Sequence, residues 1–427
     1  MKSGTSRRAE QAALLSARYG RRARAAGAVV GALAAVSVSF APSAAAYDEQ
    51  SKQWYLDTMQ AEKMWKVSTG KGVKVAVIDT GVNANTPSLK GQVLADDVPK
   101  AVAYHATVDY DGHGTSMAEL IAGTGSGGGL QGLAPGAKIV PYRVQLEGLK
   151  SGAEKDKTPE PAEALRAAAD TDAKIISMSF GGMTTEEDEA AIDYAASKGK
   201  LLIAAVGNNA DDGKTNFIDY PAGYPYVIGV AAADESLTVS KFSSYGNYVD
   251  VAAPGAEIPA WCNATFRAYC DSKGTSAAAA LTSAAAALIW SAHPNWTVNQ
   301  VTRSLIDTAG RTWAKDDPSK YAGYGFIRPR VVLENANYDA GPANVDPLAK
   351  DNGGDLLANS ASSPSPSAST TSRAQQRTST GGTSAAGSSA AESSNNTNTL
   401  WITIGAAAAL ILIAGAGVAV TRARRAR

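Results

Sequence analysis

Four short apolar runs, at residues 73–78, 174–180, 200–206 and 226–232, constrain the fold of this chain more than any other feature. Each is rich in Val, Ile, Leu and Ala and lacks the strict polar alternation of a half-wet strand, so each reads as a strand buried on both faces. Helix-like stretches lie between them, notably 161–169 and 186–197. Strands alternating with helices predict a mainly parallel sheet covered by helices, an α/β fold. Such sheets collect their chemistry beyond the carboxyl ends of the strands, so candidate functional residues are sought there.

The two ends of the 427-residue chain have a different character. Arg7, Arg8, Arg18, Arg21, Arg22 and Arg24 precede an uncharged run at 25–41 and then Ala44, Ala45 and Ala46. That order predicts an export signal, residues 1–46, cleaved after Ala46, followed by an N-terminal extension at 47–72. Residues 400–420 are 21 positions without a charge, enough for a helix to cross a hydrocarbon core of about 30 Å. Arg422, Arg424, Arg425 and Arg427 follow, so the tail at 421–427 is expected in the cytoplasm and everything before residue 400 outside. Residues 338–399 turn to Ser, Thr, Ala, Asn, Gly and Pro and predict a disordered tether with a span on the order of 45 Å. The folded domain is therefore placed at 73–337, on the outer face of the cell membrane.

Forty basic and forty acidic residues cancel, which excludes a global field suited to nucleic acid. The two cysteines, Cys262 and Cys270, lie in the exported part, where a disulfide is expected to stabilise by roughly 2 to 3 kcal/mol. With no histidine near them they do not suggest zinc.

Asp79 ends the first apolar run in the triplet DTG. Alone it could be a turn residue capping the next amide. Aspartic proteases also use DTG, but they need two copies, and there is no second DTG or DSG here. Of the three histidines, His105 has no distinctive context and His293, before Pro294, suits a helix end. His113 sits between glycines in DGHGTSMA at the start of a probable helix, a setting that exposes the ring to a cleft and favours a base. Ser276 follows Gly274 and Thr275 at the first turn of an alanine-rich helix. It could be an ordinary N-cap. As a nucleophile it would have the helix dipole and its own amide to stabilise an oxyanion once a base took its proton. Ala278 breaks the GxSxG pattern of an α/β-hydrolase elbow. Asn208 follows a buried strand and Gly207, so it is preferred over Asn209 as the side-chain donor to that oxyanion. The GxGxxG at 123–128 follows a helix-like segment and reads as a loop, not a dinucleotide site.

VAVIDTGV, DGHGTSMA, SMSFGG, AAVGN, YPAGYPYVIGVAA, FSSYGNYVDVAAPG and KGTSAAAA occur in this order, and together they resemble the subtilisin-like serine proteases across the middle of the chain. The resemblance implies a three-layer fold, a triad of Asp79, His113 and Ser276 in the family's chain order, and Asn208 at the oxyanion. It further implies that Ser179, Phe180 and Gly181 form an edge along which a polypeptide substrate pairs. Asp219 aligns with a position lining the specificity pocket, which suggests Lys or Arg before the cut; a solvated loop aspartate is the plainer reading.

The arrangement of signal, short leader, protease, low-complexity linker, single anchor and basic tail resembles the mycosins, subtilases tied to type VII secretion in actinobacteria, and so implies a secretion membrane complex as partner. Only about 26 residues separate Ala46 from Val73, too few for the long prodomain of many subtilisins, and Ala280 stands where the family usually has proline. The chemistry requires no cofactor; structural calcium is common in the family, but no ligand cluster in the sequence assigns it. The competing expectations are a catalytically silent scaffold of the same fold and a free scavenging protease.

Overall fold

The computed structural model describes residues 49–150, 152–210 and 218–352. The expected export signal at 1–46, the span at 400–420 and the tail at 421–427 lie outside the described residues, as does most of the expected tether.

The sheet has six strands: β1 (Lys74–Asp79), β2 (Lys138–Arg143), β3 (Ile175–Met178), β4 (Leu201–Ala205), β5 (Val227–Ala233) and β6 (Val251–Pro254). Their order is β2-β1-β3-β4-β5-β6, and every neighbouring pair is parallel. The four apolar runs are β1, β3, β4 and β5, the central strands. Both edge strands escaped the sequence reading for a physical reason. Pro141 in β2 donates nothing to a ladder and is tolerated at an edge, while β6 is only four residues and ends in Pro254.

Five longer helices cover the sheet: α1 (His113–Ala122), α2 (Pro161–Ala169), α3 (Glu186–Ser197), α4 (Thr275–Ala292) and α5 (Val298–Asp307). α1 connects β1 to β2 in one direction along the sheet, and α3 connects β3 to β4 in the other. Right-handed crossovers in opposite directions place α1 and α3 on opposite faces. α4 packs with α1 and lies across β3, β4, β5 and β6, whereas α2 and α3 pack on each other. α2 starts where expected because Pro161 occupies the first turn and Glu160 and Glu163 form a capping box. α3 is capped by Thr185, whose hydroxyl accepts from Asp188 N.

α4 is apolar all round because nearly all of it is core: fifteen of its eighteen residues are buried. Among the described residues it is the one helix long and apolar enough to cross a membrane, yet its burial marks it as the central helix of a folded domain. Its alanines let the helix lie close to the strands. Leu281, Leu288 and Ile289 are fully buried, and each contributes about 1.5 to 3 kcal/mol of burial. Enlarging Ala284, which has no exposed surface, to Leu would cost about 1 to 3 kcal/mol through overpacking.

The ordered fold runs past residue 337, a correction to the boundary drawn from composition. The α5 side chains bind the backbone that follows: Asn299 Nδ2 donates to Ala343 O at 3.1 Å, Gln300 Nε2 to Gly341 O at 3.0 Å and Arg303 Nη2 to Val345 O at 2.8 Å. Ala340 and Leu348 are buried. Few large apolar residues are needed there, because a neighbouring helix satisfies the backbone. The extension before β1 is also part of the body: Tyr55 is fully buried and Trp54 Nε1 donates to Ala256 O.

Beyond β6 a hairpin, β7 (Ile258–Trp261) with antiparallel β8 (Tyr269–Ser272), is cross-linked by a disulfide between Cys262 and Cys270. The chain steps from β1 one way to β2, then returns past it to β3. That reversal opens a crevice beyond the carboxyl ends of β1 and β3.

Candidate active site

Asp79 is the last residue of β1 and is fully buried. Its Oδ1 accepts from Thr80 N at 2.7 Å and lies 2.8 Å from His113 Nδ1. A carboxylate only accepts, so Nδ1 carries the proton and Nε2 is left as the basic atom. His113 can come this close because glycines flank it. Gly112 has φ of 102°, and a Cβ on Gly114 would stand 2.2 Å from Gly81 O and 3.0 Å from Asp79 Cβ. Burial works against the imidazolium, but the charge of Asp79 and its hydrogen bond outweigh it, and the His113 pKa is pushed up to about 9.

Asp109, which the sequence reading passed over, fixes the start of α1. Its Oδ1 accepts from Gly112 N at 2.8 Å, Asp111 N at 3.0 Å and Thr80 Oγ1 at 2.8 Å; its Oδ2 accepts from Thr115 N and Thr115 Oγ1. One buried carboxylate thus joins the end of β1 to the first turn of the helix that carries His113.

Ser276 is the second residue of α4. Its hydroxyl donates to Ser179 O at 3.0 Å, and Ser179 Oγ donates back to Ser276 O at 3.0 Å. The start of α4 is thereby clipped to the chain leaving β3, and the hydroxyl is turned to that carbonyl, not to His113. Asn208, just beyond β4, accepts through Oδ1 from Thr275 N at 2.9 Å and from Thr275 Oγ1 at 3.1 Å. A backbone N–H can only donate, so the Asn208 oxygen must face Thr275 and the amide nitrogen must face away. The Thr275 hydroxyl also accepts from Gly207 N at 3.1 Å. Thr275 was the second residue passed over. His113, Asn208 and Ser276 line one cavity of about 250 Å³ with Met117, Trp261 and Lys273.

Asn209 is engaged elsewhere, its Nδ2 donating to Asp219 Oδ2 at 3.1 Å. The Asp219 carboxylate stands between the backbones that leave β3 and β4: a Cβ on Gly207 would fall 1.7 Å from Oδ2, and one on Gly181 would fall 3.1 Å from Oδ1. Burial raises its pKa. Phe180 and Gly181 lie along a second groove, of about 500 Å³, whose far wall includes Leu146 and Leu149. His105 stacks on Tyr104 and His293 stacks on Trp296 at the end of α4, and neither lines the cavity. Gly123 is the C-cap of α1, so the GxGxxG at 123–128 follows a helix and opens none. Among the described residues no group of three or more His, Cys, Asp or Glu could hold a metal ion.

Residues 70–325 match the model of the subtilase family, Peptidase S8. Thermitase of Thermoactinomyces vulgaris is 33% identical over 288 residues, covering 64% of this chain and 95% of thermitase. Subtilisin E of Bacillus subtilis is 35% identical over 268 residues, 62% of this chain and 67% of that protein. Among solved structures, MycP1 from Mycobacterium smegmatis superposes with a TM-score of 0.56 at 26% identity, covering 68% of this chain and 86% of that one. MycP3 protease from the type VII (ESX-3) secretion system gives 0.54 at 30% identity, covering 66% and 88%. With the family match spanning more than half its length and sequence and fold in agreement, the chain belongs to the subtilase family of serine endopeptidases.

Proposed function

We propose that this chain is a membrane-anchored, extracellular endopeptidase in which Asp79 orients His113, His113 takes the proton of Ser276, and Ser276 attacks the scissile carbonyl of a polypeptide. The observation that carries the reading is the 2.8 Å contact between buried Asp79 and His113, whose ring lines a cavity that Ser276 and the oriented amide of Asn208 also line. For attack the Ser276 hydroxyl would have to leave its bond to Ser179 O and turn to the imidazole; contacts of this kind tighten when substrate binds. The alkoxide oxygen of the tetrahedral intermediate would be stabilised by Asn208 Nδ2 and the Ser276 amide at the positive end of α4. His113 then donates its proton to the leaving amine, and water repeats the sequence on the acyl-enzyme. Side chains alone supply this chemistry, so no cofactor is required; a structural calcium ion would have to be sought by measurement.

An extended substrate would pair along Ser179, Phe180 and Gly181, where strand-end backbone borders the 500 Å³ groove. Asp219 would favour Lys or Arg before the cut, since a cation meeting its half-buried carboxylate offsets the burial that raises its pKa. The MycP1 and MycP3 likenesses, with the signal, tether and span that the sequence leads one to expect at 1–46, 338–399 and 400–420, support processing of type VII secretion components at the membrane.

Fluorophosphonate labelling of the full chain in detergent, beside Ser276→Ala, with mass spectrometry of the adduct, tests the reading. An adduct on Ser276 absent from the variant is expected. A folded protein that takes up no label would point instead to the silent scaffold, a state that the turned-away Ser276 hydroxyl would describe.

A further inference from the structure

The segment after β2 forms the far wall of the substrate groove, and its attachment is unusual. Gln145 N donates to Pro159 O at 3.0 Å and Gln145 Nε2 to Thr158 O at 2.8 Å, so positions 145 and 158–159 are pinned together. The described residues between them are mostly exposed and leave the body as an excursion. Leu146, Leu149 and Lys155 on it face Phe180 and Met183 across the groove.

The excursion is returned to the body by Glu154, on the short helix Ala153–Lys157. One carboxylate oxygen accepts from Arg143 Nη2 at 2.8 Å and the other from Tyr104 Oη at 2.9 Å; His105 Nδ1 stands 3.5 Å away. Arg143 ends β2 and is 3% exposed. Its guanidinium lies 5.3 Å from the Tyr110 ring centroid and 6.0 Å from that of Tyr104, while Nε and Nη1 are buried without a hydrogen bond. Among the described residues Glu154 is its one carboxylate partner within ion-pair distance. A surface ion pair is ordinarily worth little. Here one partner is buried, and removing the other leaves an uncompensated charge, so Glu154 has a strong preference for one position.

We propose that Glu154 is a positioning residue for substrate recognition: by binding Arg143 and Tyr104 it sets the wall that contacts peptide residues beyond the first few on the amino side of the cut. The proposal rests on the reading of Ser179, Phe180 and Gly181 as the pairing edge, and it concerns none of the groups that touch the reacting atoms. Glu154 acts on long substrates and leaves short ones alone.

The test uses the full chain in detergent, wild type beside Glu154→Ala and Glu154→Gln, with two fluorogenic substrates that share the residue before the cut: a dipeptide and a hexapeptide. For Glu154→Ala the hexapeptide KM should rise about tenfold with kcat little changed, because a displaced wall removes binding without altering the chemistry. The dipeptide constants and fluorophosphonate labelling of Ser276 should stay within about twofold, and Glu154→Gln, which keeps one acceptor, should recover part of the hexapeptide KM. A wild type that favours the hexapeptide, with Glu154→Ala losing equally on both substrates or on neither, overturns the latch alone. A wild type that shows no preference for the hexapeptide overturns the pairing reading and the latch with it.

Discussion

Thr275 tests whether Asn208 works as an oriented donor. Its hydroxyl and its amide both donate to Asn208 Oδ1, at 3.1 and 2.9 Å, so Thr275→Val removes one of two anchors at nearly constant volume. Removing the donor itself, by Asn208→Leu, should lower kcat by about 10² to 10³, or roughly 3 to 4 kcal/mol in the transition state. Thr275→Val leaves the donor present but less well aimed and should lower kcat by about five- to tenfold, near 1 kcal/mol, with KM little changed. It also orphans Gly207 N–H, which now donates to that hydroxyl at 3.1 Å, and this should cost about 1 to 3 kcal/mol of stability. For a domain of this size the melting temperature should fall by about 2 to 5 °C.

The informative quantity is the double variant. If Thr275 acts through Asn208, adding Thr275→Val to Asn208→Leu should change kcat by less than about twofold, a coupling near 1 kcal/mol. Steady-state kinetics on one peptide substrate, with melting curves beside them, give both readouts. Additive losses in kcat would refute the orienting role of Thr275. An Asn208→Leu enzyme within about threefold of wild type would refute Asn208 as the donor.

Three further groups, His113, Glu119 and Asp219, give outcomes that can be measured. In the proposed mechanism His113 must be neutral to accept the serine proton, and Asp79 raises its pKa to about 9, so the acid limb of kcat/KM should lie above the ordinary histidine value of about 6.5. Asp79→Asn removes the charge and leaves burial dominant, which should move any residual limb below 6.5; a limb that stays in place means that another group titrates. Because the folded pKa of His113 is raised, the pair's stability is fully present below about 6.5 and lost as pH rises through about 9, which urea unfolding of Ser276→Ala against pH will read. Glu119 on α1 is fully buried and burial pushes its pKa up to about 7, although Thr86 and Tyr269 hydroxyls donate to it. Its contribution is present below about 4.3 and lost as pH rises through about 7, so Glu119→Gln should match wild type in urea at pH 5 and exceed it by up to about 3 kcal/mol at pH 8; a variant less stable at both would show that the ionised form is the native one. Asp219→Asn should lower kcat/KM for Lys and Arg before the cut by at least about tenfold relative to Leu, and an unchanged ratio would leave Asp219 a loop residue.

The central layer of the fold was legible because strands buried on both faces must be apolar throughout, and nothing else in the chain has that texture over so few residues. The edges carry no such demand. β2 keeps Pro141 because its outer side is bonded only at Ile139, to Gln92 and Leu94, and no ladder partner there needs a proton from position 141; β6 needs only four residues because the stretch around Phe326 runs beside it, with Ala252 opposite Phe326. The stretch at 338–352 was read as tether because its composition offers little to bury, yet α5 holds it through carbonyl groups that every residue possesses. Backbone satisfied by distant side chains leaves no trace in local composition.

The site divides the same way. Asp79, His113, Ser276 and Asn208 could be singled out because each is a reactive or polar residue at a place where the local pattern predicts a strand end or a helix start. The residues that aim them could not. Asp109 looks like any loop acid until its two oxygens are seen joining Thr80 to the first turn of α1, and Thr275 looks like a helix-start residue until Asn208, 67 positions earlier, is found against it. Asp219 is the extreme case, since its surroundings are made by what Gly181 and Gly207 lack. A group that reacts can be recognised by its own chemistry and neighbours in sequence. A group that orients another is defined by a contact between distant segments, and only the folded chain brings the two together.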